Sequence, residues 1–145
     1  MRYQQKFNDF FNQVERNKVY IISQQRNAAP FQISVVKKDE KYGFHVDRVL
    51  RLNSFLDKDI FLFVIKELEN AKNRTLTRGN ARGKGHIIGH KNLGEYSIEA
   101  LVAIKFFGKK KGQIVFMRIS AISNILVASG VCIHGVGTLS LNPNL

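Results

Sequence analysis

The chain has 145 residues, 44% of them hydrophobic and 23% charged, which is ordinary usage for a globular protein of one domain or two small modules. Lys and Arg number 23 against 11 Asp and Glu, so the formal net charge is +12. Eleven Phe with many aliphatic residues exclude a disordered chain, and two Pro without a glycine period exclude collagen-like and low-complexity classes.

The N-terminal part of the chain predicts a helix followed by a small antiparallel sheet. Apolar residues recur at helical spacing over residues 2–16, which is typical of an amphipathic helix. Strands are predicted over 19–23, 31–37 and 42–49, and the polar residues 38–41 indicate that the last two strands form a hairpin.

The C-terminal part predicts helices that alternate with a basic loop and with strands. Residues 97–107 begin at a serine cap and end at Gly108, which favours a helix, although a strand paired with 113–119 is the alternative. The predicted elements are a helix over 57–72, a loop over 73–96, a helix over 97–107, a strand over 113–119, a helix over 120–129 and a strand or hairpin over 131–141.

We expect these elements to form a single α+β domain over residues 1–145, with the N-terminal helix and sheet in 1–56 and a basic half in 57–145. The charge is unevenly distributed. Residues 73–145 carry ten basic and two acidic side chains, whereas residues 1–72 carry thirteen basic and nine acidic side chains. So few carboxylates leave the lysines and arginines of 73–145 able to meet a polyanion, and nucleic acid is the first expectation.

The order of a helix, a basic loop, a second helix, a lysine-rich turn and a strand has the ingredients of a winged helix-turn-helix. In this interpretation Lys109, Lys110 and Lys111 form the tip of a wing that contacts a phosphate backbone. The very apolar helix over 97–107 predicts backbone contacts with little base recognition. We therefore predict a nucleic-acid-binding protein that prefers double-stranded DNA to RNA. The candidate contact residues are Arg74, Arg78, Arg82, Lys84, Lys91, Lys105, Lys109, Lys110, Lys111 and Arg118.

A small nuclease is the alternative function. His86 and His90 lie four residues apart in a glycine-rich, cationic loop beside Lys91. Two histidines and a cation can supply the acid, the base and the charge stabilisation that metal-independent RNA cleavage needs. The candidate catalytic residues of an RNase-type toxin or a restriction-type endonuclease are thus His86, His90 and Lys91. A metal-dependent endonuclease would need clustered carboxylates around Mg²⁺, and the sequence shows no such cluster.

Cys132 is the single cysteine, which excludes an internal disulfide and a zinc site built on thiolates. No cofactor is predicted for a binding protein, and Mg²⁺ is the cofactor expected if the protein is a metal-dependent nuclease. The expected compartment is the cytoplasm, because one unpaired cysteine suits a reducing environment. The apolar stretches are too short to span a bilayer, so no membrane partner is expected. The sequence does not determine the oligomeric state, although a two-fold homodimer would suit palindromic DNA.

Overall fold

The computed structural model describes residues 2–24, 28–47, 54–80 and 87–145. Within these residues the chain forms four α-helices and seven short strands. In chain order they are α1 (Arg2–Asn17), β1 (Tyr20–Ile22), β2 (Phe31–Lys38), β3 (Lys41–Val46), β4 (Phe55–Asp57), α2 (Lys58–Asn70), β5 (Thr75–Thr77), α3 (Ile98–Phe107), α4 (Ile119–Ala128), β6 (Cys132–His134) and β7 (Thr138–Leu141).

The strands form two antiparallel sheets, which confirms the α+β class. The first sheet has the order β1-β2-β3-β4, and its central hairpin joins β2 to β3 through the predicted polar turn. The second sheet has the order β5-β7-β6, so the predicted hairpin over 131–141 is confirmed. Strands β4 and β5 were not predicted, and each has only three residues.

Helix α1 buries the apolar stripe that its sequence predicts, with Tyr3, Phe7, Phe10, Phe11 and Val14 all in the core. The ring of Phe7 stacks on the ring of Phe61 of α2, with 5.2 Å between the ring centroids. The ring centroids of Phe11 and Phe44 of β3 are 5.0 Å apart. Burying a large apolar side chain stabilises the fold by about 1.5–3 kcal/mol. The same cluster continues into α4 and β7, so one core joins the N-terminal and C-terminal parts of the chain.

Helices α2 and α3 each begin at a side-chain cap. Asp57 accepts a hydrogen bond from the backbone N–H of Asp59 at 2.9 Å, at the start of α2. Ser97 accepts one from Ala100 at 3.3 Å, at the start of α3. Gly108 ends α3 with φ of +64°, a left-handed conformation that glycine adopts without steric cost. Residues 97–107 are therefore a helix and not a strand.

The predicted strand over 113–119 is wrong. In the described part of the chain this segment makes one isolated β-bridge, between Ile87 and Ile114, and α4 already begins at Ile119. The reason is Glu99, whose carboxylate accepts the backbone N–H groups of Arg118 and Ile119 and so starts the helix there. The wing hairpin of a winged helix is consequently not formed, and the winged-helix interpretation is not confirmed.

Helix α4 starts one residue earlier than predicted, at Ile119. Among the described residues, no helix combines the length and the apolar character needed to cross a membrane.

Candidate functional site

A turn rich in lysine, residues 108–112, follows α3 and is tied to the loop that precedes the helix. The N–H of Gly112 donates to the carbonyl of Ile88 at 2.9 Å, and the N–H of Ile88 donates to the carbonyl of Gln113 at 3.0 Å. The side chain of Gln113 accepts a hydrogen bond from the N–H of Lys110 at 2.8 Å. We call residues 108–112 the lysine turn, and these bonds hold it beside the loop over 87–91.

The side chain of Lys111 lies across Gly89, where an added Cβ would be 3.1 Å from its Cε atom. This contact brings together two basic segments that are about twenty residues apart in the sequence. We define the basic face by the cationic and imidazole side chains of these two segments: His90, Lys91, Lys109, Lys110 and Lys111. Four of the five were predicted from charge alone as phosphate contacts, and His90 was predicted as a catalytic residue.

The lysines of the basic face are not neutralised by neighbouring carboxylates. Lys91, Lys110 and Lys111 are exposed and Lys109 is half-buried. In the segments that the structure describes, none of these four side chains forms an ion pair. Their charge is therefore available to an external anion.

A second, smaller hydrophobic cluster lies beneath the basic face. It consists of Ile88, Leu93, Ala100, Ala103 and Val115, and it is distinct from the main core. The loop, α3 and the segment after the lysine turn each contribute side chains to it. This cluster fixes the relative positions of the two basic segments.

Glu99 links α3 to α4 and is completely buried. Its carboxylate accepts hydrogen bonds from the N–H of Ile119 at 2.8 Å and from the N–H of Arg118 at 2.9 and 3.1 Å. Burial raises the pKa of the Glu99 carboxyl above its ordinary value, although these N–H donors and the charge of Arg118 act in the opposite direction. One of the two carboxylates in residues 73–145 is thus removed from the surface.

Arg118 does not occupy a position from which it could contact phosphate. It is only 2% exposed, and its guanidinium lies 3.6 Å from the centre of the Phe107 ring. One of its terminal nitrogens donates to the carbonyl of Phe116 at 3.2 Å. The prediction that Arg118 contacts nucleic acid is therefore corrected: this arginine packs between α3 and α4.

Arg74, Lys105 and Arg78 belong to other segments than the two that define the basic face. Arg74 is exposed, but it donates a hydrogen bond to the Tyr3 hydroxyl at 3.1 Å and stacks over that ring, beside α1. Lys105 is exposed on α3. Arg78 is half-buried and lines a cleft described below. The other members of the predicted set, Arg82 and Lys84, lie outside the described residues, as does His86.

The environment of His90 bears on its predicted catalytic role. Its Nδ1 atom accepts a hydrogen bond from the backbone N–H of Asn92 at 3.3 Å. The neutral ring then carries its proton on Nε2, which makes that atom a donor. A donating Nε2 suits contact with a phosphate oxygen better than removal of a hydroxyl proton.

A cleft of about 750 Å³ opens where the starts of α3 and α4 meet the end of β5 and the loop residues 78–80 and 91–94. Its lining includes two cations, Arg78 and Lys91, together with the amide side chains of Asn80, Asn92 and Asn124. No carboxylate belongs to the lining that the structure describes. Sequence analysis missed this cleft because its polar residues come from separate segments and show no common spacing.

His134, on β6, faces a smaller cavity beside the main cleft. Its Nδ1 atom is buried and makes no hydrogen bond in the described residues. Burial lowers the pKa of this imidazole below its ordinary value, and the positive charge of Arg78 lowers it further. Both effects favour the neutral form of the ring.

In the part of the chain that the structure describes, no group of three or more His, Cys, Asp or Glu side chains is arranged to hold a metal ion. The Cys132 thiol is buried, and burial raises its pKa to about 12, so it is not a reactive thiolate. Comparison of the chain with family models, with curated proteins and with solved structures found no match.

Proposed function

We propose that this protein binds nucleic acid, with double-stranded DNA as the preferred form, through the basic face. The observation that carries the proposal is the lysine turn, where Lys109, Lys110 and Lys111 have no ion-pair partner in the described residues. The side chain of Lys111 contacts Gly89, two residues before Lys91. Duplex DNA carries one negative charge for about every 1.7 Å of its axis, so a compact group of cations can neutralise several phosphates.

The chemistry of α3 supports contacts to the backbone over recognition of bases. Ile98, Ala100, Val102 and Ala103 are buried, and Ser97 is engaged in capping. The helix therefore offers few side chains that could form paired hydrogen bonds with base edges in a major groove. In this proposal the lysine turn contacts a phosphate backbone, as a wing does, but no recognition helix enters the groove. The protein then has only a weak preference for particular DNA sequences.

The test measures affinity for a short DNA duplex by fluorescence anisotropy over a series of salt concentrations. The salt dependence is the slope of log K, the logarithm of the binding constant, against the logarithm of the salt concentration. Replacement of Lys109, Lys110 and Lys111 by Gln is expected to reduce the magnitude of this slope by about 2 to 3. The matched control replaces Lys37, Lys38 and Lys41 by Gln, which changes the charge equally at another turn. The proposal fails if both triple variants lose affinity equally, or if the wild type does not bind at low salt.

The nuclease alternative receives less support. His90 has its Nδ1 engaged as an acceptor, and the described residues include no cluster of carboxylates that could hold Mg²⁺. The same duplex, single-stranded DNA and a structured RNA can be followed for cleavage in magnesium and in EDTA. Cleavage in EDTA that disappears in the double variant His86→Ala, His90→Ala would establish the nuclease in place of a binding module.

A further inference from the structure

We propose that the 750 Å³ cleft at the starts of α3 and α4 binds a single unpaired nucleotide of the nucleic acid that the basic face holds. This inference rests on the proposed function and adds the structural class of the ligand. Clefts of about 300–1,000 Å³ take ligands of small-molecule size, so one nucleotide can enter. A base inside a duplex is stacked and must leave the stack to reach such a cleft.

The charge of the cleft suits a phosphate. Arg78 and Lys91 are its cations, and its described lining contains no carboxylate. Two backbone hydrogen bonds hold Arg78. Its N–H donates to the carbonyl of Gly137 at 2.9 Å, and its carbonyl accepts from the backbone N–H of Glu99 at 3.0 Å. Lys91 belongs to the basic face as well as to the cleft, so a strand held on the basic face can continue into the cleft.

The amide side chains of the cleft suit the edge of a base. The backbone N–H of Asn80 donates to the backbone carbonyl of Asn92 at 2.8 Å, which joins the two loop segments that contribute these residues to the cleft lining. Asn124 projects from α4, and its Nδ2 donates to the carbonyl of Ser120 at 2.8 Å, which orients the group. Amides carry a donor and an acceptor together and can form paired hydrogen bonds with base edges.

An exposed aromatic ring lies in the same segment. Tyr96 is 74% exposed and stands in the chain between Gly94 and Ser97, both of which line the cleft. Exposed rings in basic surroundings are typical stacking partners of unpaired bases. Tyr96 is not itself in the lining of the cleft, and in this proposal its ring stacks on a base next to the bound nucleotide.

The test adds a large side chain at a residue of the cleft lining and removes no cation. Gly94 lines the cleft, and a Cβ added there meets no atom within 4 Å, so the variant Gly94→Phe places a ring in open space. Gly94→Ala is the matched control for the backbone. The probes are a DNA duplex with one bulged nucleotide and the fully paired duplex of the same sequence. We expect the wild type and Gly94→Ala to bind the bulged duplex about tenfold more tightly than the paired one.

In Gly94→Phe we expect equal affinity for the two duplexes, with the affinity for the paired duplex unchanged. The triple variant of Lys109, Lys110 and Lys111 lowers both affinities and keeps their ratio. Equal binding of the two duplexes by the wild type overturns the cleft proposal and leaves the proposed function standing. A tenfold preference that persists in Gly94→Phe also overturns the cleft proposal, whereas failure of the wild type to bind either duplex overturns both.

Discussion

Two turns of this protein have three lysines in them or at the strand ends beside them, and they differ in what surrounds the charge. In the turn between β2 and β3, Lys37 forms an ion pair with Glu40 at 3.3 Å, and Lys41 forms one with Asp57 at 3.3 Å. In the lysine turn over 108–112, the flanking residues are glycines. The first turn is nearly neutral in total, whereas the second keeps its whole positive charge.

The two turns also differ in what supports them. The β2–β3 turn belongs to a four-stranded sheet whose inner face enters the main core. The lysine turn depends on a single β-bridge, the small cluster beneath it and the connection of α3 to α4 through Glu99. The comparison shows that a count of lysines does not identify a binding surface. The carboxylates near each turn determine how much of its positive charge stays uncompensated.

The largest effect is expected from Glu99→Ala, which removes support from the lysine turn and leaves the β2–β3 turn intact. The backbone N–H groups of Arg118 and Ile119 lose their acceptor, and a buried unsatisfied group costs about 1–3 kcal/mol. Urea unfolding measures the loss of stability, and DNA affinity is expected to fall with it. Unchanged stability would show that Glu99 does not hold α3 and α4 together.

Glu99 also predicts a pH dependence. Its pKa is raised in the folded state, so the fold favours the protonated carboxyl. In the unfolded chain Glu99 loses its proton near its ordinary pKa of 4.5, before the folded chain does. As pH rises above this value, the contribution of Glu99 to stability declines until the carboxyl of the folded protein also ionises. Urea unfolding at a series of pH values should show this decline in the wild type. Its persistence in Glu99→Gln would assign it to another group.

An intermediate effect is expected from Gln113→Glu, which makes the lysine turn resemble the β2–β3 turn. The new carboxylate can still accept the N–H of Lys110, so the fold is kept, and it neutralises about one charge. We expect DNA affinity at low salt to fall about three- to tenfold and the salt dependence to fall by about one unit. Gln13→Glu, on the exposed face of α1, is the control for net charge, and an equal loss there would contradict a local role.

The smallest effect is expected from the converse double variant Asp39→Asn, Glu40→Gly. Both residues have positive φ, of 51° and 66°, and Asn-Gly is the pair that such two-residue hairpin turns prefer. The variant removes two acidic groups from the β2–β3 turn without distorting it. DNA affinity should rise by a factor of about two to three, as expected for weakly placed additional charge. A tenfold rise would show that the two turns are equivalent once their carboxylates are removed.

The elements that could be predicted from sequence are those with local signals. The stripe from Tyr3 to Val14 defined α1, and Ser97 with Gly108 defined the limits of α3. The segment 113–119 has the composition of a strand, but its fate depends on Glu99, nearly twenty residues earlier. A hydrogen bond between distant residues leaves no trace in the periodicity of either segment.

The candidate site was predicted in part. The lysines at 109–111 were identified from charge alone, because an unbroken cationic run is visible in any sequence. The burial of Arg118 was missed, since an arginine that packs on Phe107 has the same composition signal as one that faces solvent. The cleft was missed because Asn80, Asn92 and Asn124 converge only in the folded chain.

The small cluster beneath the lysine turn contains two alanines among its five members, so it buries far less apolar surface than the aromatic core around Phe44. Regions held by few apolar contacts open locally at a free-energy cost below that of global unfolding. Amide hydrogens of residues 87–93 and 110–116 should therefore exchange with solvent faster than those of β2 and β3. A polyanion that binds only the closed form would slow this exchange in proportion to its occupancy, so amide protection would report binding even where no contact is made.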